Sequence, residues 1–236
     1  MVIGTKKVAI MQPYFIPYIA YFQLIKAVDI FVIYDNLQYS KGGWINRNRI
    51  LLNGEPSYIS LPLKKGSDYL NINERYLSDD FEKTKMLNRI KNLYKKSPYF
   101  DQTFELLNDI FSKDEKNLFK FLHNCILKIN EYLDIKTQII FSSQVNDHEN
   151  YKKNKKVIYI CKTLKASNYI NPIGGLELYD KKDFKSNKIN LEFLKMKPLE
   201  YDQFRNDFVK DLSIIDVLMF NSKKTVKEML NEYSLI

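Results

Sequence analysis

The chain has 236 residues, 45% hydrophobic and 28% charged, with 37 Lys and Arg against 28 Asp and Glu and a formal net charge of +9. A chain of this length buries roughly 70 to 75% of the surface its unfolded form exposes, so one large domain spanning residues 1–236 is the expectation. The composition excludes a disordered or fibrous chain, and no apolar run approaches the roughly 18 residues that a membrane span needs.

A positive surface attracts acidic partners such as nucleotide phosphates, anionic headgroups or a small acidic carrier protein. Lys and Asn are abundant throughout, so a codon bias toward AT-rich triplets produces the same excess. Nucleic acid is not expected, because the lysines are scattered and no DNA- or RNA-binding motif accompanies them. The N-terminal MVIGTKKVAIMQP lacks the apolar region and cleavage site of a signal peptide, which makes the cytoplasm the expected location. Cys125 and Cys161 sit inside apolar helical patterns and are expected as buried free thiols.

In chain order, KVAIM (7–11) is a short apolar run that predicts a buried strand, IAYFQLIKA (19–27) has helical spacing, and IFVIY (30–34) predicts a second buried strand. Strand, helix and strand within about 30 residues form a βαβ unit with a parallel strand pair and a right-handed crossover. A strand follows at YISLPL (58–63), then helical patterns from Phe81 to Leu133 interrupted at Ser97-Pro98, then a strand at TQIIFS (137–142). Lys155 to Leu164 predicts a helix, NYIN (168–171) and NLEFL (190–194) predict strands, and Ser213 and Ser222 stand where N-caps of the last helices belong. The alternation gives an α/β fold, with a Rossmann-like parallel sheet at its start and a mostly helical insertion at about 80–135.

In such sheets ligands bind outside the carboxyl ends of the parallel strands. Gln12 to Tyr18 and Asp35 to Arg49 follow the first two strands at that end, and Asn171 to Tyr179 follows a later one, so the three segments are expected to meet in one cleft. Tyr14, Tyr18 and Trp44 offer stacking faces, Arg47 and Arg49 fork onto phosphate or carboxylate, and Asn46, Asn48, Gln12 and Gln38 bond hydroxyl or amide groups. Tyr21, Phe22 and Tyr34 fit core packing better. The run Trp44 to Arg49 keeps neither strand nor helix periodicity and reads as a functional loop. Gly174 and Gly175 let backbone amides approach a ligand beside Asn171 and Tyr179. This set suits a flat, polar, anionic ligand such as a nucleotide or nucleotide sugar.

Asp35 is the carboxylate of the second segment. It reads either as a general base, with Tyr14, Asn46 or Asn48 as oxyanion donors and a pKa tuned upward by its surroundings, or as a turn residue. Asp216 reads equally as a second site carboxylate or a solvent-facing charge. Ser142-Ser143 fits a cap better than a nucleophile, and His123 and His148 are too sparse for a metal site, so no metal is expected.

Phe15 to Ala27 resembles the strand-to-helix turn of nucleotidylyltransferases, with Tyr18 and Tyr21 at the histidine places and Ala20 at the glycine place, which removes the imidazoles that adenylyl transfer uses. A broader resemblance is carried by MQPYFIPYIAYFQLI, DIFVIYDNLQYSKGGWINRNRI, YKKSPYF, FSSQ, ICKTLKASNYINPIGGLELY and LSIIDVLMFNS, in that order. Together they are similar to the recurring segments of the WbqC-like family. The resemblance implies a place among bacterial O-antigen and other surface-polysaccharide proteins, with glycine transfer or amino-sugar acylation as the reaction. Relatives often carry His where this chain has Met86. Two functions are carried forward. One is an acyl- or aminoacyltransferase acting on the amine of a nucleotide-linked sugar, without a resident cofactor, whose donor is a thioester on coenzyme A or an acidic acyl carrier protein. The other is a non-catalytic subunit that binds the sugar nucleotide or another enzyme of the pathway.

Overall fold

The computed structural model describes residues 5–204 and 207–236. β1 (Lys7–Met11) leads through α1 (Ile19–Lys26) to β2 (Ile30–Ile33), and the strands pair in parallel from Val8↔Ile30 to Met11↔Ile33. Every residue of β2 and the middle of β1 are buried. Parallel strands covered on both faces have no polar side, which is why they read as unbroken apolar runs.

Between β2 and the next parallel strand the chain makes a long excursion. It opens with a hairpin of β3 (Arg47–Leu52) and β4 (Glu55–Ser60), turning at Asn53 and Gly54 with φ 52° and 84°. Asn-Gly is the preferred pair for a two-residue turn that needs two left-handed residues. The segment expected to be an irregular loop to Arg49 is therefore a strand from Arg47, and its pattern is obscured because polar Arg47, Asn48 and Arg49 precede apolar Ile50 and Leu51. The helices α2 (Lys83–Tyr94), α3 (Phe100–Ser112) and α4 (Leu118–Tyr132) follow, with Met86 on α2 packed against the main core. The chain re-enters the sheet at β5 (Gln138–Phe141), then runs through α5 (Lys153–Thr163), β6 (Asn168–Pro172), α6 (Lys181–Ser186) and β7 (Asn190–Met196). α7 (Ile214–Phe220), α8 (Lys223–Met229) and β8 (Tyr233–Leu235) complete it. Ser213 Oγ accepts from the Ile215 amide and Ser222 Oγ from the Thr225 amide, so both serines cap as expected.

The sheet order is β5-β2-β1-β6-β7-β8, parallel except for β8 at the edge. Strand order reverses between β1 and β6, and there the ladder is short. β1 pairs β6 only at Lys7↔Asn168 and Val8↔Tyr169, whereas β1–β2 and β6–β7 stay in register to Met11↔Ile33 and Pro172↔Leu194. The carboxyl halves of the two central strands thus part at the switch point. Alternate strand residues feed two cores. Ala9, Phe31, Ile33 and Ile170 face α1, α3, α4 and α7, while Val8, Ile10, Val32 and Tyr169 face α5 and the Phe184 of α6. Cys125 and Cys161 are free and buried in these cores.

Asp216 is a hub of the larger core and neither faces solvent nor lines a cleft. Its Oδ1 accepts from Tyr94 Oη at 2.7 Å, and its Oδ2 from Tyr201 Oη at 2.8 Å and Gln203 Nε2 at 2.6 Å. Burial raises its pKa, against those three donors. Tyr94 Oη in turn accepts from the Leu51 amide at 2.8 Å, tying β3 to α2 and α7. The expected role of Asp216 in ligand binding is replaced by a structural one. Tyr94→Phe leaves the Leu51 amide without its acceptor and Asp216 one donor short, and urea unfolding should show a loss of about 2 kcal/mol.

Candidate functional site

A cleft of about 720 Å³ opens where β1 and β6 part. Ile10 and Met11 line it from β1 and Gln12 just after it, Tyr34 from just after β2, and Asn171 and Pro172 from β6. This is the place where a doubly wound sheet leaves a crevice beyond its carboxyl ends.

Of the residues singled out in the sequence, Gln12, Tyr14, Tyr18, Trp44, Asn48, Arg49, Asn171, Gly174, Gly175 and Tyr179 line this one cleft. Trp44 and Gly174, in segments 130 residues apart, both line it. The loop from Gln12 to Tyr18 is shaped by distant partners. Asn48 Nδ2 donates to the carbonyls of Phe15 (3.0 Å) and Ile16 (2.8 Å), Ser213 Oγ donates to the same Ile16 carbonyl (2.7 Å), and the Phe15 amide donates to the Trp44 carbonyl. Asn48 therefore acts on the loop backbone, and its Oδ1 is taken by the Arg49 amide. Tyr21 packs in the core and also borders the cleft, and its Oη is spent on the Gln12 carbonyl.

The aromatic wall continues onto the hairpin. Trp44 stacks on Tyr58 at 6.3 Å between centroids, and the Arg49 guanidinium lies 5.4 Å from the Trp44 ring. Arg49 Nη2 donates to the Asp211 carbonyl at 3.1 Å. Tyr14 Oη makes no hydrogen bond among the described residues and faces the cleft as a free hydroxyl, and burial raises its pKa so that it stays protonated. On the opposite wall Tyr169 Oη donates to Asn171 Oδ1 at 3.0 Å, and a Cβ placed on Gly175 would collide with Asn171 Nδ2. Gly174 has open space around it.

Four expected site residues lie elsewhere, besides Asp216. Asp35 is 4% exposed and outside the cleft lining. Its Oδ1 accepts from Ser142 Oγ and the Ser143 amide, both at 2.9 Å, and its Oδ2 from Ser143 Oγ at 2.5 Å. Burial alone would push the carboxyl up, but these bonds outweigh it and hold the pKa below the ordinary value. The expected upward tuning is reversed, and Asp35 ties the end of β2 to the end of β5. Asn46 accepts from Tyr39 Oη (2.8 Å) and donates to the Leu61 carbonyl (2.9 Å). Gln38 donates to the Asp68 carbonyl at 2.9 Å. Arg47 folds back on the carbonyls of Gly42 and Gly43 and over the Tyr58 ring at 4.7 Å, so it braces the turn in place of forking onto a ligand. In each case the polar side chain has found partners within the protein, which residue type alone does not disclose.

Two cations join the residues expected from the sequence. Lys153 and Lys156 lie on the first turn of α5 and line the cleft. The Lys156 ammonium is 5.4 Å from the Tyr34 ring, and its pKa is lowered by burial, against the carboxylates of Glu149 and Asp35. The signal in the sequence was helical spacing, since Lys153 and Lys156 stand i,i+3 on one face with Val157. Among the described residues they and Arg49 give the cleft three cations against one carboxylate, Asp211.

A family model described as the WbqC-like protein family matches residues 12–228. The chain belongs to the WbqC-like family. The uncharacterized protein Rv1507c of Mycobacterium tuberculosis is 28% identical over 219 residues, covering 92% of this chain and 94% of the relative. No solved structure matches the chain. Nearly the whole cleft lies inside the matched span, from Gln12 after β1 to Asp211 before α7.

Two outcomes test this geometry. Gly175→Ala should displace Asn171 and destabilise the fold by about 1–3 kcal/mol in urea unfolding, whereas Gly174→Ala stays within about 0.5 kcal/mol. For Asp35, a depressed folded pKa means that its stabilising contribution is present above the ordinary carboxylate value of 3.8 and is lost as pH falls through the folded one. Asp35→Asn should be less stable than the wild type at pH 7, and the gap between the two in chemical unfolding should narrow below about pH 4.

Proposed function

We propose that the cleft binds a nucleotide-linked amino sugar and that the protein is an N-acyl- or aminoacyltransferase of surface-polysaccharide biosynthesis. The observation that supports this most is the company of Trp44, Tyr14 and Tyr18 with Arg49, Lys153 and Lys156 around one switch-point cleft. Stacking faces take a base or sugar ring, and Arg49 and Lys153 take the diphosphate. In the reaction, the sugar amine attacks the carbonyl carbon of a thioester, the amine proton passes to a base, and the thiol leaves. Lys156 is proposed as that base in place of Asp35, because it lines the cleft and its ammonium is destabilised there. The Tyr14 hydroxyl is proposed as an oxyanion donor. The donor thioester, on coenzyme A or an acidic carrier protein, and the cytoplasmic setting belong to the same proposal.

One observation favours the second reading, a non-catalytic sugar-nucleotide-binding subunit. The carboxylate that follows β2 is fully engaged by serines, leaving Asp211 as the one carboxylate of the cleft among the described residues. Calorimetry with UDP- and dTDP-linked amino sugars, paired with a thiol-release assay using acyl-coenzyme A and acylated carrier protein, separates them. Arg49→Gln should weaken sugar-nucleotide binding tenfold or more, about 1.4 kcal/mol, and Arg47→Gln should leave it unchanged. Lys156→Gln should cut turnover by about a hundredfold or more with affinity held within a few-fold. Binding by the wild type without thiol release from any donor selects the binding subunit, and absence of binding across the panel rejects both readings.

A further inference from the structure

The chain leaving β6 makes a tight 3-10 turn at Ile173–Gly175, held by amide bonds from Leu176 to Ile173 and from Leu178 to Gly175. Gly175 is turned inward, and the apolar side chains beside it are turned out. Ile173 is 37%, Leu176 49% and Leu178 68% exposed, three large aliphatic side chains within six residues at the mouth of the cleft. Leu178 lines the cleft itself and also a shallow depression on its outer side, which it shares with Leu176, Asn154 and Lys181. The first turn of α5 and this loop thus form one rim.

Charge surrounds these tips. Residues 149–156 and 173–188 carry eight lysines against four carboxylates. Three of the four carboxylates are already engaged, Glu149 by Asn36 Nδ2 at 2.8 Å, Asp180 by the Lys182 amide at 2.8 Å and Asp183 by Asn154 Nδ2 at 3.4 Å. Lys153, Lys155, Lys181 and Lys182 are exposed. Among the described residues no helix is long and apolar enough to cross a membrane.

Apolar tips projecting from a basic rim combine the two terms that hold a peripheral protein to a bilayer, partial burial of aliphatic side chains among the acyl chains and attraction of lysines to anionic headgroups. A partner protein would fit a groove or a flat patch better than separate protruding tips. We propose that the rim formed by Ile173–Leu178 and the first turn of α5 docks on an anionic lipid surface, with the mouth of the cleft turned toward the membrane. The ligand chemistry of the cleft does not enter this argument, so the docking stands or falls independently of the transferase reading.

Co-sedimentation of the full chain with vesicles tests it. Vesicles of phosphatidylcholine with about one third phosphatidylglycerol should retain the protein at least tenfold better than phosphatidylcholine alone, and raising the salt from about 0.1 to 0.5 M should weaken retention several-fold. The exposed double variants Ile173→Ser with Leu176→Ser, and Lys181→Glu with Lys182→Glu, should each lose about tenfold in retention while melting within a few degrees of the wild type. Equal retention on both vesicle types, or undiminished retention by both variants, overturns the proposal. So does binding to an acidic acyl carrier protein with no retention on either vesicle.

Discussion

Asn48 forks its amide nitrogen onto the carbonyls of Phe15 and Ile16, and the shape of the loop between β1 and α1 follows from that contact. Ile16 sits at φ 41° with its side chain fully buried, a left-handed conformation that a β-branched residue adopts only when its surroundings enforce it. The surroundings are three segments remote in sequence: Asn48 on β3, the Trp44 carbonyl before it, and Ser213 and Ile214 at the start of α7, which bond the carbonyls of Ile16 and Pro17. Only with the loop in that shape do Tyr14 and Tyr18 reach the cleft. The hairpin and α7 are the clamp, and the strained loop is what they hold.

The fold was largely legible because its strands and helices announce themselves by periodicity. KVAIM, IFVIY and NYIN read as buried strands since both faces of the sheet are covered, and the serines before α7 and α8 read as caps since a helix start needs an acceptor for its free amides. β3 was missed for a physical reason. Its first three residues are Arg47, Asn48 and Arg49, each used in a tertiary contact, so local pattern and final conformation disagree there. The Asn53-Gly54 turn was the one local sign of the hairpin.

The site was legible in its location and less so in its roles. Strand ends and broken periodicity brought ten expected residues to one cleft, but residue type could not separate side chains that face a ligand from those that satisfy backbone. Asp35, Asn46, Arg47 and Gln38 all found partners in neighbouring loops, and such partners are set by tertiary folding. Asp35 illustrates the competition most sharply. Burial and hydrogen bonding act on its carboxyl in opposite directions, and only the positions of Ser142 and Ser143 decide the sign. The lysines went the other way. In a chain rich in Lys, the i,i+3 spacing of Lys153 and Lys156 is a weak signal, and the burial that sets Lys156 apart is a property of the folded state.

The two-rung ladder between β1 and β6 has a consequence for how the molecule coheres. On one side of that seam stand β5, β2 and β1, on the other β6, β7 and β8, and backbone hydrogen bonding along the seam stops two residues in. Any molecule seated in the opening touches strand ends from both halves and takes the place of the missing rungs. Its affinity is then partly the cohesion of the sheet itself, so occupancy and the resistance of the seam to parting rise together as one linked equilibrium.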